Sequence, residues 1–151
     1  MKQKKSTLEL DKILKETEPD EIKDFFKANK SFMVGGKEEF CYYMHDMYKD
    51  KNIKLKDVYL IVGVTESYGS KLLRLEKHTI NRDLILRFCI AGKFNVDETN
   101  RALKLYGMNQ LYSRDKRDAA IIVKLNHPYR DIYEIDDYLE ENGFDKLSSD
   151  K

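Results

Sequence analysis

Two short apolar helices are predicted in residues 54 to 77, which read KLKDVYLIVGVTESYGSKLLRLEK. The tight turn between them needs a residue that accepts a positive φ, and Gly63 does so without a steric penalty from a Cβ atom. Val64 then fills the corner, and either Thr65 or Ser67 can cap the second helix by accepting a hydrogen bond from a free backbone N–H. This spacing is that of a helix-turn-helix.

A helix-turn-helix favours double-stranded DNA as the partner, because the second helix of such a motif places the residues at its start against base edges. The predicted DNA contacts run from the cap of that helix through the loop behind it. They are Thr65, Glu66, Ser67, Tyr68, Ser70, Lys71, Arg74, Lys77, His78 and Arg82. We expect the basic members to pair with phosphates, which position a protein on the duplex but do not specify sequence.

The same side chains also have purely structural interpretations. The basic residues could form a solvated helix face balanced by Glu66 and Glu76. Ser67 could serve only as a helix cap, and Tyr68 could be a half-buried tyrosine of the core. A second basic group alternates with acids and is predicted to form a salt-bridged loop rather than a phosphate grip; it comprises Arg114, Asp115, Lys116, Arg117 and Asp118.

The composition is that of one intracellular domain. The chain has 151 residues, of which 41% are hydrophobic and 36% charged, and a formal net charge of +1. Because this charge is far below that of many nucleic-acid binders, any attraction for phosphate must come from local clusters of lysine and arginine. The sequence has neither an apolar run of about 18 residues nor a signal-peptide core, so we expect no membrane span and a cytoplasmic location. Cys41 and Cys89 lie among large apolar residues, which predicts reduced core thiols.

The periodicity is helical nearly everywhere, so the predicted fold class is all-α, a compact bundle around the helix-turn-helix. Residues 1–36 form a predicted N-terminal helical extension, 37–110 the core, and 111–151 a C-terminal helical extension packed on that core. In the first part, Thr17 is predicted to cap a helix whose buried stripe is Ile22, Phe25 and Phe26, and Val34-Gly35-Gly36 to break the pattern.

The core and the last part carry clear helix starts and ends. Phe40, Tyr43, Met44, Met47 and Tyr48 share one face of a long helix. Asn81 or Thr79 is predicted to cap the next helix after the motif, and Asn95 the one after that, which ends at Gly107. Two final helices follow, with Pro128 between them and Gly143 at the end, and they should pack on the bundle or on a second subunit.

The core resembles the Cro and lambda-repressor-like (XRE-type) helix-turn-helix family, in particular a bacterial subgroup with a C-terminal helical extension. The resemblance spans roughly residues 37 to 147. It is carried by Ser67-Tyr68-Gly69, Asn81-Arg82-Asp83, and Leu111-Tyr112 with Arg117-Asp118 before an Ala-Ile-Ile helix. It implies a five-helix DNA-binding core, with an extension at each end, that acts as a transcriptional regulator.

Four positions depart from the family pattern. Tyr59 stands where a small residue is usual, and Gly69 stands where a large aliphatic residue is expected. We expect an exchange of volume in which the Tyr59 ring fills the space that Gly69 vacates, because cores tolerate repacking when total volume is kept. Leu75 replaces the glycine that usually ends the second helix, and Ile80 replaces a proline in the following loop.

Catalysis finds no support in the sequence. The three histidines lack the spacing of a metal site, and the chain has neither a phosphate-binding glycine loop nor a nucleophile elbow. We therefore expect no enzyme activity, no cofactor and no metal. The predicted function is transcriptional regulation by a homodimer that reads DNA. The alternative is a helix-turn-helix kept as a protein-interaction module, which binds its partner through a surface rich in the ten tyrosines.

Overall fold

The computed structural model describes residues 7–29, 37–127 and 131–148, and within these ranges it is helical without a strand. The predicted all-α class is therefore confirmed. The helices are Thr7–Glu16 (α1), Ile22–Ala28 (α2), Lys37–Asp50 (α3), Leu55–Val62 (α4), Glu66–Leu73 (α5), Arg82–Ala91 (α6), Val96–Tyr106 (α7), Lys116–Leu125 (α8) and Ile132–Glu141 (α9). The predicted break at residues 34–36 and the predicted turn at Pro128 lie outside the described residues.

The N-terminal segment differs from its prediction in two respects. Thr17 is not a cap, because its hydroxyl donates to the carbonyl of Ile13 in α1, at 2.7 Å. Pro19 begins a 3-10 turn directly before α2, and the residue ahead of a proline is held extended, so the N-cap position falls on Glu18. Of the predicted buried stripe only Phe25 is buried; its two companions, Ile22 and Phe26, are exposed.

Helix α6 is the centre of the bundle. Every residue from 84 to 91 is buried, and the helix packs against α4, α7 and α9. The predicted apolar face of α3 joins the same core, and the hydroxyl of its Tyr48 donates to the carbonyl of Phe88 at 2.9 Å. Arg87 is buried as well. Its Nη1 donates to the carbonyl of Val62 at 3.0 Å, at the C-terminal end of α4, where the negative end of the helix dipole stabilises a cation.

Short-range signals in the sequence set the helix ends of the core. Asn81 caps α6, and Asn95 forms a capping box with Glu98 at the start of α7, which satisfies two free N–H groups at once. Gly107 and Gly143 follow α7 and α9 with φ of 85° and 80°. Of the two residues predicted as alternative caps of α6, Thr79 instead accepts the N–H of Asn81.

Helices α8 and α9 pack on the bundle, since α9 contacts α6 and their buried side chains belong to the same core as those of α3 to α7. Asp136 of α9 is 5% exposed and accepts hydrogen bonds from the N–H of Leu147, at 2.6 Å, and from the hydroxyl of Ser148. The end of the described chain is thereby fastened to α9.

The two cysteines are free thiols. Cys89 is fully buried as predicted, whereas Cys41 is only half-buried, and burial raises the pKa of both thiols. Along the described chain, none of the helices combines the length and the apolar character that crossing a membrane would require.

Candidate nucleic-acid interface

Helices α4 and α5 are joined by a three-residue turn with the predicted chemistry. Gly63 has a φ of 87°, and its N–H donates to the carbonyl of Tyr59 at 2.9 Å. Thr65 rather than Ser67 is the cap of α5, since its hydroxyl accepts the N–H of Tyr68 at 3.1 Å. This turn gives α5 a fixed direction and leaves its first residues at the surface.

The start of α5 is open to solvent. Glu66 and Ser67 are exposed, and Tyr68 keeps 36% of its surface accessible. Leu72 and Leu73 hold the opposite side of the helix in the core. Three predicted contacts therefore lie together on one accessible helix end.

Ser70 lies one turn further along and is half-buried. The ring of Tyr59 lies against the adjacent Gly69 and so connects α4 to α5. Burial raises the pKa of Tyr59, and the Ser70 side chain lowers it by less, so the phenol stays protonated at neutral pH.

Four basic side chains follow on α5 and in the loop behind it. Lys71 and Lys77 have no ion-pair partner within the part of the chain that the structure describes. Arg74 is exposed and pairs loosely with Glu76 at 3.4 Å, a contact that contributes little in water. His78 is exposed too, but its ring stacks on Tyr106 with centroids 4.7 Å apart.

The loop after α5 is tied to the end of α7. The N–H of Thr79 donates to the hydroxyl of Tyr106 at 2.9 Å, next to the stacked His78. Burial raises the pKa of Tyr106 despite this donated hydrogen bond. Leu75 has a left-handed backbone with a φ of 55°, and Ile80 is 96% exposed.

Arg82, one of the predicted DNA contacts, is largely engaged within the protein. Its guanidinium forms a fork with both carboxylate oxygens of Asp118, at 2.8 and 2.9 Å. Its Nε and Nη2 also donate to the carbonyls of Asn109, at 3.0 Å, and Gln110, at 3.1 Å. Four of the five N–H donors of Arg82 are thus used within the protein and its charge is paired, so it offers less to a phosphate than a lysine without an ion pair does.

A second fork runs in the opposite direction between the same two helices. Arg117 of α8 donates to both oxygens of Asp83 on α6, at 2.9 Å each, and also to the carbonyl of Asp145, at 3.0 and 3.2 Å. In each of the dipeptides Arg82-Asp83 and Arg117-Asp118, the arginine therefore pairs with the aspartate of the other dipeptide. We call these four residues the crossed ion pairs.

The crossed ion pairs shift the ionisation of their members. Burial alone would raise the pKa of Asp118, but hydrogen bonds from Arg82 and from the N–H of Tyr112, with the charges of Arg82 and Arg117, outweigh it and lower that pKa. The predicted salt-bridged loop is therefore present in part. The sequence contained one signal for it, the Arg-Asp dipeptide, but this dipeptide occurs at 82–83, 114–115, 117–118 and 130–131, and nothing in the sequence indicates which copies pair.

A shallow cleft of 480 Å³ opens beside the crossed ion pairs. It is lined by Arg82, Asn109, Gln110, Tyr112, Asp115 and Asp118. Its arginine is already paired with its aspartate, so the cleft offers no free cation to an anionic ligand. In the ranges with described structure, no group of three or more His, Cys, Asp or Glu side chains could hold a metal ion.

Comparisons with other proteins add no assignment. No family model matches the chain, and neither the curated proteins nor the solved structures give a match. The geometry of α4, α5 and the loop that follows is therefore the basis for a proposed function.

Proposed function

We propose that this protein is a cytoplasmic transcriptional regulator that binds specific DNA sequences through α4 and α5. The observation that carries the proposal is the accessible start of α5, fixed by Gly63 and Thr65. Lys71 and Lys77 follow it and have no ion-pair partner among the described residues. A helix held in this way can enter the major groove with its first residues toward the bases.

The contacts divide by chemistry into two groups. Glu66 can accept a hydrogen bond from the amino group of cytosine, and Ser67 can bond to several base edges. Tyr68 lies beside them and can reach sugar or phosphate. Lys71 and Lys77, with Arg74, supply the charge that neutralises phosphates. Thr65 acts instead through the fold, because its hydroxyl caps α5, and Ser70 is half-buried beside Gly69.

We propose a homodimer because a single α5 covers only a few base pairs. A two-fold axis would present two copies of α5 to half-sites about one helical turn of DNA apart, roughly 34 Å. An operator for this protein is then expected to be palindromic.

The test is selection from a pool of random duplexes, together with the DNA upstream of the protein's own coding sequence, across a series of salt concentrations. The variant is Lys71→Ala/Lys77→Ala, and the control is Lys49→Ala, an exposed lysine in the last turn of α3. We expect selective binding that weakens with salt, is lost in the double variant and persists in the control. Absence of any duplex binding by the folded protein at low salt would refute the proposal.

One observation favours a second candidate, a protein-interaction module. Helix α4 exposes two adjacent aliphatic side chains, Leu60 at 75% and Ile61 at 50%. Exposed apolar groups of this kind are typical of surfaces that receive a partner. Residues 66 to 82 contain a single tyrosine, Tyr68, and among the described residues the more exposed tyrosines are Tyr42, Tyr112 and Tyr133. A folded protein that ignores DNA and loses partner binding on Leu60→Ser/Ile61→Ser would support this candidate.

A further inference from the structure

We propose that Arg114 and Lys116, at the start of α8, form a second contact with the DNA backbone. This inference rests on the proposed function and extends its site beyond α5 into the C-terminal extension. The interacting groups would be phosphates flanking the sequence that α5 reads.

The crossed ion pairs place this segment beside the loop that follows α5. Arg82 begins α6, directly after that loop, and binds the carbonyls of Asn109 and Gln110 and the carboxylate of Asp118. Lys116 is two residues from Asp118. On the other side, Thr79 is bonded to Tyr106 at the end of α7. The loop after α5 therefore adjoins the end of α7 and the segment 109–118 that includes the start of α8.

The structure also separates charges that the sequence interleaves. Asp118 turns inward to Arg82, and Asp115 is occupied as the cap of α8, where it accepts the N–H of Asp118 at 2.9 Å. Arg117 turns inward to Asp83. Arg114 and Lys116 remain exposed, with no ion-pair partner among the residues that the structure describes.

This arrangement suits phosphate binding better than base reading. Both cations are side chains of a helix start and its preceding turn, where the positive end of the helix dipole adds to their field. They lie outside α5, so they would meet the backbone beside the groove that α5 enters. Such contacts raise affinity for every sequence equally.

The experiment measures how the dissociation constant for a selected duplex depends on salt, for wild type and for Arg114→Gln/Lys116→Gln. Each lost phosphate contact reduces the slope of log affinity against log salt by about 0.9, so the double variant should lose about 1.8. Its preference among duplexes should not change. On a duplex trimmed to the bases that α5 contacts, wild type and variant should have equal slopes.

The matched control is Lys49→Gln. Lys49 is exposed near the end of α3. The nearby Lys51 pairs with Glu98 in the first turn of α7, so this region lies at the start of α7. Tyr106 and the start of α8 lie at the other end of α7, away from the control. This variant should keep the wild-type slope. If the double variant also keeps that slope while Lys71→Ala/Lys77→Ala reduces it, the second contact is refuted and the proposed function stands. If wild type binds no duplex, both are refuted.

Discussion

The aromatic ring of Tyr59 occupies the space in which a side chain on Gly69 would begin. A Cβ atom on Gly69 would lie 2.6 Å from Cε1 of Tyr59, closer than real Cβ atoms approach a neighbour. Tyr59 is 7% exposed, so its ring is part of the core between α4 and α5. The large Tyr59 side chain thus fills the space that the absent side chain of Gly69 leaves between the two helices.

Replacing Gly69 by isoleucine should therefore overfill this corner. We expect Gly69→Ile to lower the free energy of unfolding by about 1–3 kcal/mol, the usual cost of adding atoms to a packed core. In Tyr59→Ala/Gly69→Ile the new side chain has room, so the double variant should be more stable than the sum of the single changes predicts, by roughly 1–3 kcal/mol. Urea unfolding of the four proteins measures this coupling, and strict additivity would contradict the exchange of volume.

The cap of α5 can be separated from its surface chemistry. Thr65→Ala should lower the free energy of unfolding by about 1 kcal/mol, because the N–H of Tyr68 loses its acceptor. Ser67→Ala should stay within roughly 0.5 kcal/mol of wild type, since Ser67 is exposed and makes no cap. Thermal or urea unfolding checks both, and Thr65→Ser serves as the conservative control. Equal losses at the two positions would contradict the assignment of the cap.

Acid should weaken the protein partly through Asp118. Because folding lowers the pKa of this carboxyl below its ordinary value of 3.8, the unfolded chain takes up the proton first as pH falls. The stabilisation is thus fully present above about pH 4–5 and is lost as pH falls through the lower folded-state value. In Asp118→Asn this part of the pH dependence should be missing.

The measurement is the free energy of unfolding from pH 7 to pH 2. At pH 7 we expect Asp118→Asn to be less stable by about 1–3 kcal/mol, since the Arg82 guanidinium loses its charged partner. The two curves should converge in acid. Asp137→Asn, an exposed carboxylate on α9, is the matched control and should follow wild type throughout. A constant gap between wild type and Asp118→Asn at all pH values would contradict the assigned role.

The sequence predicts local features of this fold well because their causes are local. Gly63 and Thr65 act within a few residues, so the chain alone locates the end of α4, and it locates the start of α5 to within the two residues that separate Thr65 from Ser67. Burial is different, since it depends on which helix lies opposite. Phe25 and Phe26 are adjacent and equally apolar, yet one is 5% exposed and the other 48%.

The candidate site shows the same limit for charged groups. Arg82 and Asp118 are 36 residues apart, and neither the spacing nor the composition indicates that they meet. In the sequence, Arg82 belongs to the series of basic residues that follows α5. Residues 114 to 118 form a cluster in which basic and acidic side chains alternate. Only the meeting of the first residues of α6 and α8 pairs Arg82 with Asp118 and leaves Arg114 and Lys116 exposed. The set of available cations is therefore a property of the tertiary structure.

This reassignment gives opposite predictions for Arg82 and Lys77. Arg82→Lys keeps the charge but loses the fork and the bonds to two carbonyls, so the free energy of unfolding should fall by about 2 kcal/mol. Lys77→Gln should leave stability within roughly 0.5 kcal/mol of wild type, because Lys77 is exposed and unpaired within the described residues. For DNA binding we expect the opposite, with the larger effect from Lys77→Gln. Lys77→Gln should reduce the salt slope by about 0.9, and Arg82→Lys should leave it unchanged under conditions where the variant is folded. An Arg82→Lys protein as stable as wild type would restore this arginine to the candidate phosphate contacts.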